Sequence, residues 1–389
     1  MKLAVPKERR PDEARVAISP EVAKKLVGLG VEVVVESGAG LGADVTDAML
    51  QDVGATIAPD AKTTLGDADL VWKVQRPLMA NEGTADEGMD EIALMKRGAT
   101  LMCHLNALTE KSLVDALAAA GISAFAMELM PRISRAQSMD ILSSQANLGG
   151  YKAVIEAANA FSRAFPMMMT AAGTVPPARV LVFGAGVAGL QAVATAKRMG
   201  AVVLATDVRP ATREQVESLG GKFVTVDEEM EKQAETAGGY AKEMPPEYFE
   251  KQKQVISEVL KKTDIVITTA LIPGRPAPKL VTAEQVRSMK KGSVIVDMAV
   301  EAGGNCELSE PDKMVEVEGV KIIGYPNLPS RVAADASPLF AKNLLNFFTP
   351  QFDKEAKALK LNWEDETVKG TCVTHDGKVV HPRLVEGSN

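Results

Sequence analysis

The sequence predicts an α/β protein made of two doubly wound, parallel-sheet domains. Three observations predict it. Short Val- and Ile-rich runs alternate with helix-like segments in two separate stretches of the chain, the pattern of strands joined by helical crossovers. Gly is abundant, at 31 residues, while aromatic residues make up only 4%, which suits buried parallel strands and tight turns better than a β-sandwich. The length of 389 residues, at roughly 100 to 200 residues per domain, allows two cores.

The elements follow in order. KLAVP reads as a strand, PEVAKKLVGLG as a helix, VEVVVE as a strand and VTDAMLQDV as a short helix, with strands at ATIA, DLVWKV and ATLMCH. Residues 136–165 read as continuously helical, long enough to bridge two domains. Alternation resumes over 179–325, with strands at RVLVFG, AVVLATD, KFVTV, DIVITTA, SVIVDMA and KIIGYP. The apolar helix SPLFAKNLLNFF then returns the chain to the first domain, and a polar tail follows. The first domain is therefore discontinuous, 1–140 plus 330–389, and the second is 141–329.

Composition excludes several classes. With 44 basic and 51 acidic residues the net charge is −7, and no concentrated basic surface offers itself to nucleic acid. Cys103, Cys306 and Cys372 show no CxxC spacing, which fits a reduced, cytosolic protein without a structural metal. The opening MKLAVPKERRPDEARVAISP places charges where a secretory leader needs an apolar stretch, so secretion is not expected. The uncharged run between Arg179 and Lys197 carries glycines and falls short of the ~20 apolar residues of a membrane-spanning helix.

Residues 227–253 break the pattern, being too long and too charged for an ordinary connection between a strand and a helix. Two readings stand. One is a solvated, partly helical insertion. The other is a lid hinged at Gly238 and Gly239, with the large ring of Tyr240 beside the hinge.

The strongest local signal is RVLVFGAGVAGLQAVATAKRMGAVVLATDVR. A buried strand runs into Gly184-x-Gly186-x-x-Gly189, a helix opens there, and a second strand ends at Asp207. Gly184 makes the turn, Gly186 lets the backbone approach a pyrophosphate, and Gly189 lets the helix pack on the sheet. Free N–H groups at the helix start then favour the anion. Asp207 stands where a carboxylate receives the ribose hydroxyls, which favours NAD(H) over NADP(H). Arg209 works against that preference, since an Arg nearby can accommodate a 2′-phosphate. A second glycine-rich turn, at Gly38, Gly40 and Ala43, carries Asp44 and Asp47 where a phosphate would have to approach. It reads as a capped turn.

PKERRPDEARVAISPE, DLVWKVQRP, MELMPRISRAQSMDILSSQANLGGY, MMMTAAGTVPPARVLVFGAGVAGLQA, TALIPGRPAPKLVT, VIVDMAVEAGGNC and PSRVAADASPLFAKNLLNFF together resemble the NAD(H)-binding component, the alpha subunit's domain I, of proton-translocating NAD(P) transhydrogenase. The resemblance spans nearly the whole chain. It implies two Rossmann-like domains with NAD(H) in the cleft between them, held on the second domain. It implies hydride transfer between NAD(H) on this chain and NADP(H) on a partner, coupled to proton translocation by a membrane-spanning subunit. It also implies a homodimer, cytoplasmic and peripheral on the inner face of the cytoplasmic membrane, active only with its NADP(H)-binding partner.

Alanine dehydrogenase shares the scaffold and is the rival reading. Its site resembles a cluster of Arg, Lys, His and Asp. Arg15 and Lys73 match the first two, but Asn106 stands in the place of the His, with His104 two residues earlier, and Glu301 in that of the Asp. Hydride transfer between two nicotinamides moves no proton, so it tolerates the loss of a general acid or base. Arg15 and Lys73 then read as scaffold residues paired with acidic side chains, His104 as partly buried, and His375 and His381 as surface residues of the tail.

On spacing alone, residues 130–143 read as an N-capped helix start with a salt bridge. The resemblance implies that Arg132, Gln137, Asp140 and Ser143 gather round the nicotinamide and its ribose, where positioning is the catalytic contribution. It groups Gly184, Gly186, Val187, Gly189, Asp207, Val208, Arg209 and Tyr240 as cofactor contacts, and no metal site. A third reading, an NAD-sensing binding module, stays open, because one nicotinamide site cannot complete a transhydrogenation.

Overall fold

The computed structural model describes residues 1–80, 82, 88–209, 211–231, 245–272 and 274–385. It divides into two compact units, Met1–Gln145 with Pro329–Asn389, and Ala146–Leu328. The first division falls inside the helix Ile141–Ala160.

The first unit holds an eight-stranded sheet. Its strands are Lys2–Val5, Glu32–Glu36, Thr56–Ala58, Leu70–Gln75, Thr100–His104 and Ser123–Ala126, all paired parallel, followed by the antiparallel strands Cys372–His375 and Lys378–Val379. Lys2–Val5 lies between Glu32–Glu36 and Leu70–Gln75, so the connections run outward in both directions, which is double winding. Side-chain caps set where the crossover helices begin: Ser19 accepts from the Val22 N–H with Pro20 in the first turn, and Thr46, Asp60 and Asp90 cap three more. The helix Ala333–Phe348 lays Phe340, Leu344, Phe347 and Phe348 into the same core as Trp72 and Phe125. Trp72 meets Phe348 edge-on, with ring centroids 6.0 Å apart.

The second unit holds a seven-stranded sheet. Arg179–Phe183 lies inside it, with Val202–Thr206 and Lys222–Phe223 on one side and Ile265–Thr268, Val294–Asp297 and Val320–Gly324 on the other, all parallel. Val180–Val182, Ile265–Ile267 and Val294–Val296 are buried without interruption, as strands covered on both faces require. The strand order reverses between Arg179–Phe183 and Ile265–Thr268, the kind of switch point where α/β sheets bind ligands.

Several expectations need correction. The helix expected over 136–165 runs only over Ile141–Ala160. A 3-10 turn, Ser134–Met139, precedes it, and Asp140 accepts from the Ser143 N–H to start the helix. Of KFVTV only Lys222–Phe223 is a strand. The polar tail is not all surface: two of its segments extend the first sheet, and His381 is buried, its Nε2 3.2 Å from the Gly370 carbonyl. The exposed hairpin Met168–Thr170 and Gly173–Val175 and the antiparallel edge strand Lys313–Val317 add to the elements expected from the sequence. Gly238, Gly239 and Tyr240 lie outside the described residues, while the end of that charged segment begins the helix Pro246–Leu260. Among the described residues no helix is long and apolar enough to cross a membrane.

Candidate functional site

The strand Arg179–Phe183 feeds the three glycines, and each meets a different constraint. Gly184 has φ +88°, and a Cβ on it would lie 2.6 Å from Thr269 Oγ1. That hydroxyl donates to the turn's carbonyls, 3.0 Å from Phe183 O and 3.2 Å from Gly184 O. A Cβ on Gly189 would fall 1.7 Å from the Gly184 oxygen, so only glycine lets the helix come this close. Gly186 differs: nothing lies nearer to its Cβ position than Arg209 Nη2, at 3.8 Å. It caps the helix Val187–Arg198 without a side chain, and its carbonyl accepts from the Leu190 N–H at 2.8 Å. The N–H groups before Leu190 have no carbonyl of their own helix to bond. Space above a side-chain-free helix start is what a pyrophosphate requires, so these residues fit a dinucleotide.

Asp207 follows the second strand, Val202–Thr206. Its Oδ2 accepts from the Ala185 N–H at 2.7 Å, tying it to the glycine turn. Its Oδ1 accepts from the Arg209 N–H at 2.8 Å and from Arg209 Nε at 2.9 Å, and Arg209 Nη2 reaches Oδ2 at 2.7 Å. The first unit repeats the device. Glu36 ends the strand Glu32–Glu36, accepts from the Lys7 N–H at 2.9 Å, and pairs with Arg9 through both oxygens. There the pair is closed off, with the Arg9 side chain 10% exposed against 23% for Arg209.

The glycine-rich turn that follows Glu36 is a packing turn. Asp47 accepts from the Gly38 N–H at 2.9 Å and from Ser37 Oγ at 2.7 Å. Cβ atoms on Gly40 and Gly42 would lie 2.5 Å from Val45 O and 2.6 Å from Ala14 O. Sequence reasoning missed Gly150, whose Cβ would stand 2.1 Å from Ala188 O, so it lets the helix Ile141–Ala160 press on the first turn of Val187–Arg198. The paired glycines in LGGY, inside a helical run, were the available signal.

Of the loop residues, Asp140 and Ser143 come together: Ser143 donates through its N–H at 3.1 Å and through Oγ at 2.5 Å. Arg132 and Gln137 are exposed. Val187 is exposed as well, and Val208 packs with Tyr248, Val226 and Met230. Tyr240 is outside the described residues.

Both scaffold cations are paired with acidic side chains. Arg15 sets Nε and Nη2 on Glu13, at 2.8 and 2.7 Å, and Nη1 on Gln145 Oε1 at 2.7 Å. Lys73 is buried 3.0 Å from Glu91 Oε1 and 3.2 Å from Glu8 Oε2. Burial, opposed by Lys73, pushes the Glu8 carboxyl up to about 7. Burial works against the Lys73 charge too, but Glu8 and Glu91 outweigh it and hold the ammonium above the ordinary lysine range. Asn106 has φ +55°, a left-handed backbone that Asn adopts more readily than most residues. Glu301 is exposed and accepts from the Asn327 N–H at 3.2 Å.

Two family descriptions match the chain: alanine dehydrogenase/PNT, N-terminal domain, over residues 4–149, and alanine dehydrogenase/PNT, C-terminal domain, over 153–382. The first of the polypeptides that make up the NAD(P) transhydrogenase alpha subunit of Rhodospirillum rubrum is 70% identical over 384 residues, 99% of each chain. A solved structure of transhydrogenase from Sinorhizobium meliloti is 51% identical, covers 98% of this chain and 100% of that one, and superposes with a TM-score of 0.86. The alanine dehydrogenase of Halomonas elongata is 30% identical over 394 residues, 99% of this chain and 96% of that one. With both family domains in sequence and 70% identity along its length, the chain belongs to the alanine dehydrogenase/PNT family, among its NAD(P) transhydrogenase alpha subunits.

Proposed function

We propose that this chain is the NAD(H)-binding subunit of a proton-translocating transhydrogenase. Bound NAD(H) gives or takes a hydride directly from NADP(H) on a partner chain, and a membrane-spanning subunit couples the step to proton movement. The observation that carries the reading is the turn at Gly186, open above a helix start and braced by Asp207. In this reading the N–H groups of Val187 and its neighbours hold the pyrophosphate, and Asp207 receives the ribose hydroxyls. Val208, Arg209 and Tyr240 complete the cofactor contacts.

Arg132, Gln137, Asp140 and Ser143 are assigned to the reacting end of the nucleotide. No proton moves with the hydride, so these groups orient rather than titrate. The exposure of Gln137, whose amide bonds to no other described residue, suits a group that reaches a ligand or partner. Through its partners the chain sits on the inner face of the cytoplasmic membrane. A homodimer is supported by the hairpin Met168–Thr170 and Gly173–Val175, which exposes Met167 at 59% and Met169 at 78%, more apolar surface than a solvated turn needs.

The test is a hydride-transfer assay with and without the NADP(H)-binding subunit. Gln137→Asn, which shortens the reach and adds no charge, should slow transfer by about 100-fold, the scale of a small misplacement, while NADH affinity stays within a few fold. No transfer with any NADP(H)-binding partner would move the binding-module reading ahead.

A further inference from the structure

The 3-10 turn Ser134–Met139 is short and mostly exposed, and such a turn has poor internal hydrogen bonding. It is nevertheless tied down from outside. Asn343 Nδ2 and Asn346 Nδ2 converge on one atom, the Ser138 carbonyl oxygen, at 2.8 and 2.9 Å. Asn343 Oδ1 accepts from Ser144 Oγ at 2.7 Å. One buried amide therefore grips the chain on both sides of Asp140, and a second amide, one position short of a helical turn further on, reinforces it. Arg135 adds a bidentate pair to Asp365, at 3.0 and 2.7 Å.

Asn343 and Asn346 lie in the helix Ala333–Phe348, whose Phe340, Leu344, Phe347 and Phe348 are sunk in the core. A rigid element is thus the anchor. Polar residues on its loop-facing side would not be needed for packing alone, since a buried amide must find partners or cost stability. Both partners it finds lie in the segment that carries Gln137, Asp140 and Ser143.

We propose that Asn343 and Asn346 are positioning residues for hydride transfer, fixing the backbone from Ser138 to Ser144 so that Gln137 and Asp140 are presented in one geometry. The proposal rests on the reading that this loop serves the reacting end of the nucleotide. Neither Asn touches the reacting atoms; each acts through the Ser138 carbonyl, and Asn343 also through Ser144.

The experiment compares Asn346→Ala, Asn346→Gln and the double change Asn343→Asp with Asn346→Ala, with Gln137→Asn as reference. Asn343→Asp keeps an acceptor for Ser144 but loses the donor to Ser138. Transfer from NADH to NADP⁺ on the partner subunit is followed in a single turnover, NADH affinity by titration, and the loop by amide exchange. Transfer should fall about 10-fold in Asn346→Ala and about 100-fold in the double variant, the scale of a loop held ~1 Å out of place. NADH affinity should stay within about threefold and exchange over 134–144 should quicken, while Asn346→Gln, which retains an amide donor, recovers most of the rate. Wild-type transfer in the double variant alongside a slow Gln137→Asn would overturn the positioning role and leave the loop's assignment standing. Wild-type transfer in Gln137→Asn would overturn both. Loss of NADH affinity in step with the rate would make the two Asn residues structural only. Should the double variant fold poorly, Asn346→Ala against Asn346→Gln decides, because Asn346 is only partly buried.

Discussion

Arg209 lies back across Asp207 and holds both of its carboxylate oxygens, Nε on Oδ1 at 2.9 Å and Nη2 on Oδ2 at 2.7 Å. A ribose diol that takes those oxygens must displace the guanidinium, and the displaced cation remains above Gly186. A 2′-phosphate would meet the same carboxylate with no hydroxyl to donate. Titration should therefore show NADH binding about tenfold or more tighter than NADPH, a difference of ~1.4 kcal/mol or more. Asp207→Ala should narrow the gap. Equal affinities in the wild type would remove the assignment of Asp207.

The glycines separate folding from binding. Gly189→Ala drives a methyl into the Gly184 carbonyl and should cost about 1 to 3 kcal/mol of stability, as overpacking does. Gly186→Ala meets open space, so Tm should hardly move while NADH affinity drops about tenfold because the methyl occupies the anion's approach. Thermal melts beside titrations distinguish them. Equal effects of the two changes on Tm would contradict the division of labour.

Local chemistry was legible in the sequence wherever one residue type decides the outcome. The glycine turn, the Asp207 position and the long apolar strands could be read because backbone conformation and burial limit the choices at each place. The hairpin at Met168 could not, because exposed Met and Ala carry no alternation to read. The helix start at Asp140 was blurred by apolar residues continuing through the 3-10 turn before it. His381 looked like a tail residue because its burial depends on a sheet completed by distant strands. Asn343 and Asn346 were invisible for the same reason: their partner at Ser138 is some two hundred residues away, and two Asn residues in an apolar helix give no local hint of a common acceptor.

Arg15 offers a third prediction. A dehydrogenase of amino acids needs a free cation for a substrate carboxylate and a group to manage the proton. Here Arg15 is held by Glu13 and Gln145, and Glu13 is also bonded by Gln75 Nε2 at 2.9 Å. Asn106 sits where the His is expected, on a left-handed backbone. The purified chain with NAD⁺ and L-alanine should give no NADH absorbance above the blank. Steady NADH production would favour the dehydrogenase reading over the transhydrogenase one.

Lys73 lies between Glu8 and Glu91, so when both acids are ionised one negative charge is left over in the core. That excess, with burial, places the Glu8 carboxyl at about 7 against an ordinary 4.5. A folded-state value above the unfolded one means that the native state holds the extra proton between those two pH values. Stability from Glu8 is then fully present below about pH 4.5 and lost as pH rises through about 7. Glu8→Gln keeps an oxygen for the Val74 N–H, 2.6 Å from Glu8 Oε1, and leaves Lys73 paired with Glu91. Urea unfolding at pH 5, 6, 7 and 8 should show wild type losing stability relative to Glu8→Gln by up to about 3 kcal/mol across the series. Lys73→Met should be worse than either at pH 8, by about 3 to 5 kcal/mol, because both carboxylates lose their cation. A difference between wild type and Glu8→Gln that stays constant with pH would show that Glu8 is ionised throughout and that the cluster carries no proton.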